Sequence, residues 1–253
     1  MGEKKMLRHI KGEMYKSFHR KYLYVATLVM AMCIIGASFV VRRLSLGSSG
    51  KINREWILSY DGFFVPAVMV ILLVFLPVFS DDYKNHTHKN LYMSLLSVKQ
   101  IFICKYIAQV ITAIIMAVIL YTLLILCILS VPCTEAYTSL MLMRFFLKMV
   151  LAIPLFAVSI LVIDVIFSYT GNELFTFLIY YYGYMQVVGL MVLSGGSVDN
   201  PALAVLILPV AVSNLSNMPL TVLSGLEVVS CGIVYTLLLV KIGAKRYEKL
   251  NLV

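Results

Sequence analysis

The sequence predicts an all-α integral membrane protein with six transmembrane helices. An N-terminal interfacial helix, a cytoplasmic amphipathic helix between spans two and three, and a re-entrant hairpin before the last span complete the expected fold. Three observations carry this expectation. Hydrophobic residues form 61% of the 253-residue chain and charged residues 13%, with a mean hydropathy of +0.94; an ordinary soluble domain has about 25% charged and about 45–50% apolar residues. The apolar residues gather in runs near the roughly 20 residues that a bilayer requires. The Lys and Arg residues cluster at run ends on alternate loops, as the positive-inside bias requires. The net charge of +9 is therefore read as contact with anionic headgroups, and nucleic acid is not expected as a partner.

Taken in order, residues 1–21 carry seven Lys/Arg, and Met6, Ile10, Met14 and Phe18 recur at four-residue steps. That spacing predicts a helix lying flat on the inner leaflet; a solvated topology signal is the plainer alternative. No cleavable leader is expected, because the next apolar run is long enough to remain in the membrane. Span one is placed at 22–41, with Arg42, Arg43, Lys51 and Arg54 outside after it. Span two is placed at 62–80, with Pro66 and Pro77 near its ends, span three at 106–130 and span four at 143–168. After a short inside loop at 169–173, span five occupies 174–194 and span six 220–242, followed by a basic tail. This topology puts fifteen Lys/Arg inside and six outside, accounting for all 21. Both termini are thus expected to be cytoplasmic, in one membrane domain covering 1–253.

The outer segment 195–219 contains an apolar stretch, 202–212, whose eleven residues reach roughly 17 Å as a helix, about half the hydrocarbon thickness. Asp199 or Asn200 can cap it with Pro201 in first position. A half-membrane hairpin on the outer side fits, as does a loop lying on the outer surface.

Several chemistries lack their residues. No G-x-x-x-x-G-K-[ST] loop occurs, so ATP, if used, is bound by another polypeptide. Cys33, Cys104, Cys127, Cys133 and Cys231 form no C-x-x-C pair and read as packing residues. All four histidines, His9, His19, His86 and His88, lie outside the spans. That argues against a histidine metal site or a Ser–His protease in the bilayer. With no catalytic constellation, the chain is not expected to be an enzyme.

Two carboxylates fall within spans, Asp164 and Glu227. Burying one at the bilayer centre costs about 2.5–3.5 kcal/mol on the lenient insertion scale, so such groups usually face a cavity or a partner. Asp164 reads as part of an inner gate or as a structural group at headgroup level. For Glu227 the readings are a structural hydrogen bond, the lining of a substrate path, or proton coupling. In span five Phe177, Tyr181 and Tyr184 share a face at steps of four and three. They could line a path for an amphipathic substrate; a helix–helix or dimer contact, or an interfacial belt, is the plainer alternative.

The longest polar interruption runs from Phe79 through Ser80, Asp81, Asp82, Tyr83, Lys84, Asn85, His86, Thr87, His88, Lys89 and Asn90, and on to Lys105. Beyond Asn90, Leu91, Leu95, Val98 and Phe102 fall three or four apart and share one helix face. A short amphipathic helix between two spans needs the membrane surface or a soluble partner. The order of an acid closing span two, a Thr, a basic residue, a leucine-rich helix and a terminal Lys resembles the type-2 permeases of ATP-binding-cassette (ABC) exporters. Asp82, Thr87, Lys89 and Lys105 stand at the matching positions. His86 replaces the Gly often found before the Thr, and the usual Pro further on is absent around Leu96, Ser97 and Val98.

The resemblance implies that 81–105 is a coupling loop docking on a separate ATPase subunit through Asp81, Asp82, Tyr83, Lys84, Thr87, Lys89 and Asn90. It implies a second coupling loop at 169–173, including Thr170, Gly171, Asn172 and Glu173, and an elbow helix at 1–21 that can brace the ATPase. ATP and magnesium would sit on the partner, with no cofactor on this chain. Two copies, or this chain and a paralogous permease, would form one pathway in the cell membrane. The small six-span permeases it resembles often export antimicrobial or cytolytic peptides, for secretion or self-immunity; a lipid or lipophilic drug is the other substrate class. Competing expectations are an ion-coupled secondary transporter using Asp164 and Glu227, a membrane enzyme, and an immunity protein that sequesters a peptide.

Overall fold

Why α3 starts where it does is written in four residues, Ser97 to Gln100. In the computed structural model, which describes residues 2–47, 96–130, 139–187 and 222–250, the backbone N–H of Ser97 donates to Gln100 Oε1 at 3.0 Å. The N–H of Gln100 donates to Ser97 Oγ at 3.3 Å. This reciprocal pair satisfies donors at the helix end that would otherwise be orphaned. The helix therefore opens at Val98 and runs unbroken to Leu129, rather than opening at residue 106. The final part of the expected coupling loop is thus the first two turns of a membrane helix. Phe102 and Lys105 are buried in the bundle and do not belong to a separate amphipathic helix.

All regular structure among the described residues is helical: α1 (Gly2–Phe18), α2 (Lys21–Gly47), α3 (Val98–Leu129), α4 (Ser139–Thr170), α5 (Glu173–Leu178, continuing as a π-helix over Ile179–Val187) and α6 (Val222–Leu250). Four of them are long and apolar enough to cross a membrane, through Leu23–Val40, Val98–Cys127, Ile153–Thr170 and Val228–Lys249. The chain is an all-α membrane protein by this measure. The expected span at 62–80 and the outer segment 195–219 lie outside the described residues, and the expected fifth span is described only to Val187. α2 shows why a span needs no partner on most of its surface. Tyr24, Val25, Leu28, Met32, Ile35 and Phe39 are exposed, which in lipid is the favourable state for an apolar side chain.

Close helix contacts rest on glycine. α6 packs most extensively along α4, and a Cβ on Gly232 would lie 2.8 Å from Pro154 Cβ. A Cβ on Gly243 would lie 2.6 Å from Phe102 Cζ, so α3 and α6 also approach where one lacks a side chain. Small residues matter more here than in water, because lipid tails supply no hydrophobic drive for helix association and packing must provide it. Tyr247 then closes over Phe102 with ring centroids 5.8 Å apart. Between α3, α4 and α6 the core includes Tyr106, Leu120, Leu155, Ile160, Leu161 and Phe167, with Tyr180 entering from the π-helical stretch.

These contacts place four chain segments at one end of the bundle. Met6 of α1 accepts a long contact from Cys104 Sγ near the start of α3, at 3.8 Å. Gly243 and Tyr247, near the end of α6, meet Phe102 of the same α3 turn. Arg246 of α6 lies 4.8 Å over the ring of Tyr169 at the end of α4. The first helix, the end of the last helix and the α4–α5 turn therefore share a side.

Candidate functional site at the basic end of the bundle

The α4–α5 turn is the expected inside loop whose geometry is described. Gly171 ends α4 with φ of 61°, a left-handed conformation that glycine adopts without a Cβ penalty. Its N–H donates to Phe167 O at 2.8 Å. Asn172 then caps α5, its Oδ1 accepting from the N–H groups of Leu174 (2.9 Å) and Phe175 (3.4 Å). Thr170 Oγ1 and Thr176 Oγ1 lie 2.7 Å apart, and Thr176 also donates to Asn172 O at 2.7 Å. Glu173 occupies the first turn of α5, where a negative charge complements the helix dipole. Thr170, Gly171, Asn172 and Glu173 thus form a short, internally bonded knuckle between two helices. We expect Asn172→Ala to cost about 1 kcal/mol through the lost cap, read as a lower thermal midpoint of the purified protein; an unchanged midpoint would show the cap to be redundant.

Behind the knuckle lies a buried polar cluster. Gln109 Nε2 donates to Asp164 Oδ1 at 3.0 Å, joining α3 to α4. Asp164 is 1% exposed, and Lys105 and Gln109 are fully buried. Lys105 sits four residues before Gln109, one helical turn towards the basic end and on the same side of α3. Asp164 Oδ2 and Gln109 Oε1 have no hydrogen-bond partner among the described residues. The Tyr106 hydroxyl reaches Ala157 O on α4 at 3.4 Å, a second polar contact between α3 and α4.

Asp164 is buried and takes a hydrogen bond from Gln109 of α3, so it has a partner inside the bundle. Lys105 is buried on the same side of α3 as Gln109, whereas Lys99 at the start of the helix is exposed. Gln109 was missed by sequence reasoning, although its place four residues after Lys105 on an apolar helix was a readable signal. In α1 the most buried part of the surface is Glu13 and Ser17, which pack towards α3, while Met6, Ile10, Met14 and Phe18 are half-buried.

Phe177 and Tyr181 do come together, stacked with centroids 5.8 Å apart and planes 6° from parallel. Tyr181 also meets Tyr182 edge-on at 5.2 Å. Phe177 is exposed and Tyr180, not Tyr181, is the ring buried in the core. The stack is the pairing that a step of four predicts, and it spans the change to π-helix at Ile179. The side chains of Tyr184 and Glu227 lie outside the described residues, as do Asp81, Asp82, Tyr83, Lys84, Thr87, Lys89 and Asn90. Among the described residues no group of three or more His, Cys, Asp or Glu is placed to hold a metal ion.

No protein-family model matches this chain, and no curated protein matches it.

Proposed function

We propose that this chain is the membrane-spanning subunit of an ATP-driven exporter, working as a pair of copies with separate ATPase subunits. The observation that carries the reading is the arrangement at the basic end of the bundle: the Gly171–Asn172 knuckle, the foot of α3, α1 and the end of α6 share one side and are tied to each other. A force applied on that side by a partner would reach three helices at once. The polar interruption at 81–90 leads into the foot of α3 and is the natural first handle, the knuckle the second. Gating between two arrangements of the spans would then follow the partner's cycle.

The substrate we propose is an amphipathic peptide, on the argument that the stacked pair of exposed Phe177 and half-buried Tyr181 offers aromatic faces while a phenolic hydroxyl stays wet. Asp82→Lys with Lys84→Glu is expected to abolish export while leaving the level of inserted protein unchanged. Export at the original rate would remove the first handle from the mechanism. Stimulation of the reconstituted complex's ATPase by helical peptides supports the substrate class; stimulation only by a lipid or drug replaces it.

The buried Asp164–Gln109 bond favours a second reading, ion-coupled transport without an ATPase. Uptake into liposomes driven by a pH gradient, with this chain alone, would establish it.

A further inference from the structure

We propose that the outward stripe of α1 is a binding surface for anionic phospholipid headgroups, and that this lipid contact clamps α1 over the foot of α3. The inference is independent of the exporter reading and needs only that the chain spans a bilayer.

The helix has two distinct sides. Towards α3 it turns Glu13, 2% exposed, and the fully buried Ser17. Glu13 Oε1 lies 3.1 Å from Lys16 Nζ and 3.7 Å from His9 Nε2, so α1 meets this acid with a lysine and an imidazole of its own. Ser17 Oγ donates back to Glu13 O at 3.0 Å. Away from α3 the exposed residues Lys4, Arg8 and Lys11 follow one another at steps of four and three, which aligns them on one stripe. Leu7 and Tyr15 are exposed beside them, at 58% and 64%. Basic side chains flanked by an aliphatic and an aromatic group are suited to a headgroup layer, with the apolar groups entering below the charges.

The chain's own course argues for the occupant. α1 ends at Phe18, α2 starts at Lys21, and the membrane-crossing part of α2 opens at Leu23. The stripe therefore belongs at the boundary where hydrocarbon meets water. An uncompensated row of positive charge there finds its complement in anionic lipid, and a zwitterionic leaflet supplies none.

Cys104 offers a native reporter. It is fully buried, with its Sγ 3.8 Å from Met6 O under α1. The full chain, carrying Cys104 as its sole cysteine, would be placed in nanodiscs of phosphatidylcholine, or of phosphatidylcholine doped with phosphatidylglycerol, and labelled with a membrane-impermeant maleimide. We expect labelling several-fold slower in the anionic discs, and the difference to shrink as salt screens the charges. Lys4→Gln/Arg8→Gln/Lys11→Gln is expected to label fast in both lipids. Lys4→Arg/Lys11→Arg should keep the lipid dependence, showing that charge rather than folding was lost. As a control for bulk charge, Lys241→Gln/Lys245→Gln/Lys249→Gln, on the exposed side of α6, should keep it too. Equal labelling in both discs overturns the proposal. So does a lipid dependence that survives the α1 triple substitution, including the case where that variant loses only a protein partner, or one that the α6 control abolishes equally.

Discussion

Asp164→Leu is expected to destabilise the bundle by about 3–5 kcal/mol, the usual consequence of removing one side of a buried charged cluster. The substitution takes from Gln109 the acceptor of its 3.0 Å bond, and Lys105, buried one turn away on the same side of α3, is the cation expected to lose a counter-charge. Lys105→Met is expected to be comparably damaging, because a carboxylate at the same depth then loses its cation. The double variant Lys105→Met/Asp164→Leu should recover most of the loss, since two well-packed apolar residues desolvate without penalty. Asp164→Asn retains an acceptor for Gln109 and should fall between. A double-mutant cycle on thermal unfolding in detergent measures this directly. Strictly additive effects would mean that the two charges do not act on one another, and the cluster would lose its meaning as a unit.

Gly232→Val is expected to cost about 1–3 kcal/mol. A Cβ alone at this position would approach Pro154 Cβ to 2.8 Å, with Pro154 Cα and C each at 3.8 Å. The neighbour is a ring fused to the backbone, so it has no rotamer through which to give way. The helices must separate, and every contact along α4 and α6 weakens with them. Gly243 is the instructive comparison. Its added Cβ would meet the Phe102 ring at 2.6 Å, and a ring edge can be removed by mutation. Gly243→Ala with Phe102→Leu should therefore be partly rescued, whereas Gly232→Val has no such partner substitution. Thermal midpoints of the four proteins decide it; equal tolerance at both glycines would contradict the close approach of α4 and α6.

What could be read from residues alone followed the strength of the physical signal. Continuous apolar runs made α2, α3, α4 and α6 legible as membrane helices, because no other structure satisfies the backbone in hydrocarbon. The knuckle was legible as a loop, since Thr170 to Glu173 interrupts two such runs. Its cap geometry was equally readable in Gly171–Asn172. The start of α3 was missed because hydropathy was weighed above capping. Ser97 and Gln100 announce a helix start, yet Lys99 and Lys105 made the stretch look polar. Lys105 is buried in the bundle all the same, and no local pattern reports that a lysine will be enclosed by other helices. The side of α1 that meets α3 was not legible: Glu13 is polar by type, but Lys16 on the same helix pairs with it, and periodicity arguments count only apolar residues. The Phe177–Tyr181 pair of α5 was legible from its four-residue step, whereas the π-helical register from Ile179 leaves no mark that periodicity alone detects.

The capped start of α3 has a mechanical corollary. From Val98 to Leu129 the helix contains neither proline nor glycine, so at 1.5 Å per residue it is a rigid beam of about 48 Å. With Phe102 seated against Gly243 as a fulcrum, a nudge below that point swings the far tip the opposite way and by a larger arc. Small displacements on one face of the membrane are thereby magnified on the other, without any joint in between to absorb them.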